Sequence, residues 1–181
     1  QEAESFSISD VEEKSRNSFV TYVDKKAEEM LIESLGALIP QAGFIAEEEG
    51  SRKPDADYVW VVDPLDGTTN YIHRVPVFSI SVALLYKNTP VVGVIYEIMR
   101  GECFHAVKGG GAFMNGIPIQ VSKTTQMGSC LMATGFPYYD YSRLESYMQL
   151  LSWCMRNTHG LRRMGSAAVD LAYVVCGRFD G

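Results

Sequence analysis

Two hydrophobic periods run along this chain. The first is helical: Ala27, Met30, Leu31, Leu35 and Leu38 recur at steps of three and four, which gives a helix one apolar face. Asp24 stands at its start with Glu28 and Glu29 in the early turns, where carboxylates suit exposed N–H groups, and Pro40 and Gly43 end it. The polar stretch before it, Ser5 to Ser18, reads as a loop. The second period is two. Phe78 to Leu84 has apolar residues at alternate positions with Ser79 and Ser81 between them. Short runs at Gly43–Ala46, Tyr58–Val62, Val91–Ile95, Cys103–Val107, Ala112–Met114 and Leu131–Thr134 read as further strands, joined by turns such as Asn88-Thr89-Pro90 and Gly109-Gly110-Gly111. Helical spacing returns at Tyr141–Arg156 and at the Ala-rich Ser166–Cys176.

Strands in series followed by helices and further strands predict a layered domain of the α+β type. A composition shift at Gln126–Ser129 divides it into an N-terminal half, residues 1–126, and the start of a C-terminal half, residues 127–181, both belonging to one compact unit. The last residues, Gly177 to Gly181, read as a helix end turning into a new strand, so a continuation is expected after them.

Composition narrows the function. With 46% hydrophobic residues among 181, the chain can bury a sizeable core. A net charge of −6 argues against a general grip on nucleic acid or on an anionic membrane. No apolar run is long enough to span a bilayer, and the acidic start Gln1-Glu2-Ala3-Glu4 does not look like a signal peptide. Cys103, Cys130, Cys154 and Cys176 form no CxxC pair, which predicts separate thiols in a reducing cytoplasm.

The chemistry concentrates in Trp60-Val61-Val62-Asp63-Pro64-Leu65-Asp66-Gly67-Thr68-Thr69-Asn70. An apolar strand delivers Asp63, and Pro64, which fixes φ and lacks an N–H, is expected to end the strand in a turn. Asp66-Gly67 completes that turn, and Thr68 or Thr69 starts a short helix. Two carboxylates around such a turn can converge on a cation, with the amides of Gly67 and Thr68 facing the same point and suited to an anion. A hard ion such as Mg²⁺ takes carboxylate oxygen and shares its shell with phosphate. Asp-Pro-x-Asp-Gly is also ordinary turn chemistry. Favouring the site, Glu47-Glu48-Glu49 follows another short strand, and clustered acids repel unless a cation compensates. Asp24 is either a plain N-cap or one more site carboxylate.

The stretch Trp60 to His73 closely resembles the first motif of the inositol monophosphatase family. Phe44–Glu48 is similar to its acidic motif, Val20–Asp24 to its threonine–aspartate motif, and Gly109–Gly116 and Gly165–Ala172 match later segments in order. This resemblance implies the layered αβαβα sandwich shared with fructose-bisphosphatases, with its C-terminal part lying outside this chain. It also implies two or three Mg²⁺ ions as cofactors. Glu47, Asp63, Asp66 and the carbonyl of Leu65 would be the ligands, with Asp63 bridging. Gly67 and Thr68 would hold phosphate, and Gly165, Ser166 and Ala167 the polyol ring. Glu47, Thr68 and Asp24 would activate water. Lys14 would stand near the metals, and Ser18 departs from the family's usual Asp.

The implied activity is Mg²⁺-dependent hydrolysis of myo-inositol monophosphate or a related polyol phosphate by a cytoplasmic homodimer, with no nucleic-acid or membrane partner. Alternatives on the same fold are fructose 1,6-bisphosphate, 3′-phosphoadenosine 5′-phosphate or histidinol phosphate as substrate, or a largely regulatory, protein-binding role.

Overall fold

The structure, a computed structural model, describes residues 11–15, 18–48 and 50–181, with side chains from residue 22 onward. Lys14 and Ser18 therefore have no described side chains, and Glu49 lies outside the described residues. Strand β1 (Val11–Ser15) lies within the stretch expected to contain a loop and pairs antiparallel with β2 (Ser18–Thr21), which begins where that stretch ends. Helix α1 (Tyr22–Leu38) follows directly. Asp24 lies inside its first turn and is not its N-cap.

The chain then builds one eight-stranded sheet. Its strands are β3 (Gly43–Ala46), β4 (Gly50–Arg52), β5 (Tyr58–Asp66), β6 (Ser79–Tyr86), β7 (Thr89–Glu97), β8 (Glu102–Val107), β9 (Gly111–Met114) and β10 (Ile117–Pro118). They lie in the order β10-β9-β8-β7-β6-β5-β3-β4. The pair β3–β5 is parallel and every other pair in this sheet is antiparallel. The short helix α2 (Thr68–Ile72) leaves the end of β5 where the threonines predicted it.

Pro64 does not end its strand. Strand β5 runs on to Asp66 through an irregularity: Asp63 faces Ser81 and Asp66 faces Ser79, so Pro64 and Leu65 together oppose Ile80. A bulge has a residue without a ladder partner, which is where a missing N–H costs least. The extra residue has a consequence for side chains. Positions three apart in a regular strand point to opposite faces, but Ser79 and Ser81 are two apart and share a face. The bulge therefore turns Asp63 and Asp66 to the same side.

Each sheet face is covered by a helix. On one, Leu31, Ile32 and Leu35 of α1 pack on Phe44, Trp60, Val62 and Leu84. On the other, helix α4 (Ala167–Val175) sets Val169, Ala172 and Tyr173 against Phe104 and Ile95. Beyond α4 lies a second sheet of two parallel strands, β11 (Leu131–Ala133) and β12 (Gly160–Arg162), with helix α3 (Leu144–Asn157) against β12. The layers are thus α, β, α, β, α. One core spans the Gln126–Ser129 region, since Val77 and Phe104 pack with Val169 and Phe179. The expected new strand is not formed at residues 177–181, but the last of them lie along β11: Asp180 N–H donates to Leu131 O and Ala133 N–H to Gly181 O, both at 2.8 Å.

Gly43 opens the strand that leads to Glu47, and a Cβ there would collide with the backbone of Arg52, the last residue of β4, and of Lys53 just past it. Gly43→Ala is expected to lower stability by about 1–3 kcal/mol, because the neighbour is main chain and cannot swing aside. Denaturant unfolding of the two proteins checks this.

Candidate active site

The parallel pair β3–β5 creates the site. Ala46 sits opposite Val62 in the register, so the next residues, Glu47 just past the end of β3 and Asp63 within β5, stand side by side. The Glu47 carboxyl stands close enough to Asp63 to disfavour its ionisation. The bulge brings Asp66 to the same face. Burial, then the charges of Glu47 and Asp66, pushes the Asp63 carboxyl up to about 8, against which only the Leu65 N–H works. That N–H donates to Asp63 Oδ1 at 3.1 Å and tightens the bulge.

Asp66 has a second engagement. Its Oδ2 accepts from Ser166 Oγ and from Ala168 N–H, each at 2.6 Å, so it caps α4 together with Ser166, whose Oγ accepts from Val169 N–H at 3.3 Å. Among the described residues, no three acidic, His or Cys side chains converge on a single point. Glu47 and Asp66 each stand against Asp63, giving two carboxylate pairs with one shared member.

Thr68 joins the site to α1. Its Oγ1 lies 3.1 Å from Asp24 Oδ1 and 3.0 Å from the Leu65 carbonyl. One hydroxyl proton serves two acceptors, leaving the oxygen's lone pairs available to a water. Gly67 precedes it at φ +99°, a conformation that favours glycine, and a Cβ there would press on Val77 O, Gly165 O and Phe78 Cα. The first amides of α2 precede its first intrahelical bond, Tyr71 N–H to Gly67 O, as free helix starts do.

Gly165, Ser166 and Ala167 line a cavity of about 420 Å³ beside Asp66, together with Thr134, Tyr138 and Arg163. Three residues without an expected role hold this geometry. Asn70 is buried and donates from Nδ2 to Val77 O at 2.7 Å and Met164 O at 2.8 Å, which ties Gly165 to Gly67. Ser79 meets Ser166 Oγ at 3.2 Å. Asp170 lines the cavity with a carboxyl raised to about 6 by burial and by Asp66, while Arg163 opposes the rise. The alternation in β6 marked Ser79 as polar, yet nothing in the sequence set it against Ser166, which is 87 residues away. His73 and His159 are exposed and His105 stacks on Phe113 at 5.4 Å between centroids, so the histidines stand outside the site.

A strand-end carboxylate cluster beside helix-start amides, on a five-layer αβαβα fold, defines a class. All of residues 1–181 match the model of the inositol monophosphatase family, and the chain belongs to that family. It is similar to the protein named Nus factor SuhB of Escherichia coli K12, with 42% identity over 170 residues, covering 93% of this chain and 64% of that protein. The crystal structure of the extragenic suppressor protein suhB from Bartonella henselae matches at TM-score 0.89 and 38% identity, over 93% of this chain and 65% of that one. Inositol monophosphatase from Anabaena (Nostoc) sp. PCC 7120 matches at TM-score 0.78 and 42% identity, over 86% and 62%. The chain therefore spans just under two thirds of the length of these relatives. No helix among the described residues is long and apolar enough to cross a membrane.

A carboxyl whose pKa is higher folded than unfolded costs the fold stability only where it must ionise. For Asp63 that cost is absent below its ordinary 3.8, grows as pH rises, and is complete above about 8. A divalent cation beside it removes the cost. Thermal unfolding is expected to show Mg²⁺ raising Tm more at about pH 8 than at about pH 5, and Asp63→Asn is expected to flatten that dependence.

Proposed function

We propose that the complete protein is a Mg²⁺-dependent phosphomonoesterase acting on myo-inositol monophosphate or a related polyol phosphate. The observation that carries this reading is Asp63, half-buried beside two further carboxylates and raised to about 8 first by its burial and then by their charges. Such a group is out of balance until a cation joins it. The donor set is all oxygen, with no Cys or His, and this fits a hard ion. Glu47, Asp63, the Leu65 carbonyl and Asp66 would hold Mg²⁺. When bound, the ions would acidify a water and neutralise charge on the phosphoryl oxygens.

The chain's own groups supply the rest. The amides of Gly67 and Thr68 hold the phosphoryl oxygens at the start of α2. Thr68 Oγ1 orients the attacking water through its lone pairs and takes up the water's proton while passing its own to Asp24, and Glu47 steadies the same water. The phosphorus–oxygen bond to the polyol breaks as the water oxygen bonds to phosphorus. The cavity lined by Gly165, Ser166 and Ala167 receives the ring. Positioning and charge do the catalysis, as phosphoryl transfer requires, and no covalent nucleophile is used.

The wider setting belongs to the proposal as well. Four free cysteines support a reducing, cytoplasmic location. Leu150 and Trp153, exposed on α3, offer apolar surface for a homodimer. A second reading is favoured by the name Nus factor carried by relatives at 42% identity, a name that denotes no hydrolase. The expectation of no nucleic-acid partner accordingly rests on net charge alone, and a regulatory role beside catalysis is kept. A partner captured equally well by wild type and Asp63→Asn would support that role.

The test of the main reading is phosphate release from myo-inositol 1-phosphate by the complete protein. Asp63→Asn is expected to lower kcat/KM by more than about 100-fold, beyond the loss typical of a group outside the metal's own shell. Thr68→Ala is expected to lower kcat by about 10²–10⁴. Full activity in excess EDTA, or undiminished activity of Asp63→Asn, would refute the reading.

A further inference from the structure

Helix α1 carries a second buried acid one turn beyond Asp24. Glu28 is 0% exposed, with Asp24 at 2%. Residues four apart lie one above the other on a helix, so both carboxylates leave the same side of α1, the side toward the strand ends. Their partners differ. Asp24 Oδ1 accepts from Thr68 Oγ1 at the head of α2, whereas Glu28 Oε2 accepts from the backbone N–H of Glu48 at 2.8 Å.

That N–H belongs to the peptide joining Glu47 to Glu48. Gripping it fixes the plane of the Glu47 carbonyl and hence the last backbone rotation of Glu47. The turn is solvent-facing, since Glu47 is exposed, and a water could satisfy its N–H as well. A fully buried carboxylate is a costlier partner than water. A charge-assisted hydrogen bond also holds direction more firmly than a mobile water does. We propose that Glu28 is a positioning residue: from α1 it holds the Glu47–Glu48 peptide and so sets where the Glu47 carboxylate stands beside Asp63. A single rigid helix thereby fixes both loops of the site relative to each other, one through Asp24 and one through Glu28. The inference rests on the proposed function in taking Glu47 as an ion ligand.

Mg²⁺ titration of the complete protein by calorimetry tests it, with wild type, Glu28→Gln, Glu28→Asp and Glu28→Met compared. Gln keeps an acceptor oxygen at the same reach and is expected to stay within about threefold of wild type. Met fills the space without an acceptor, and Asp withdraws the acceptor by one methylene while keeping the charge. Both are expected to weaken Mg²⁺ binding by about 10–100-fold, the usual effect of removing a partner that orients a metal ligand. The Mg²⁺ concentration for half-maximal phosphatase activity should rise in parallel, with kcat at saturating Mg²⁺ changed much less. Should the Met variant fail to fold by circular dichroism, the Asp variant decides. Wild-type affinity in a folded Asp or Met variant overturns the positioning role alone, while absence of Mg²⁺ binding by wild type overturns the proposed function and this inference with it.

Discussion

Carboxylates held close together repel one another, and this fold sets Asp63 against two others regardless. Glu47 and Asp63 are adjacent because β3 and β5 run parallel in register, and Asp66 joins them because one bulged residue corrects the parity of β5. Neither device can relax without undoing the ladder that holds it. The strain is charge, concentrated on Asp63, and it is held by the surrounding sheet and helices. Everything else in the site, from the amides at the head of α2 to the cavity beside α4, takes its position from that cluster.

Much of this was legible in the sequence. Most strands of the large sheet begin and end within a few residues of the apolar runs that marked them, since helices cover both faces and the strands are rich in apolar residues. Gly67 and the threonines marked the short helix correctly. Pro64 misled, because its missing N–H argues against a regular ladder and says nothing about a bulge, where the strand continues past it. At Asp24 the sequence left two readings open. The helix begins two residues earlier, so it is not the N-cap, and its carboxylate reaches Thr68, 44 residues away, on the side of the other reading. The strands β1, β4, β10 and β12 were invisible because short or exposed strands leave little hydrophobic signature.

Contacts made across long sequence separation account for the remainder. Glu28 reads as a helpful charge in a helix's early turns and proves to be wholly buried. Asn70 lies in the diagnostic motif, but its task, joining Val77 to Met164, depends on packing that no spacing reveals. The two halves on either side of Gln126–Ser129 meet through such groups, so the cavity beside Asp66 is walled by both.

Asp66 stands at that junction. One oxygen of its carboxylate secures the first turn of α4, and its charge bears on Asp63. In the proposed function the same side chain would also hold an ion, which would make it hinge pin and ligand at once. A replacement at position 66 that loosens the start of α4 would then disturb the proposed site in the same stroke, so architecture and chemistry could not be separated through this residue.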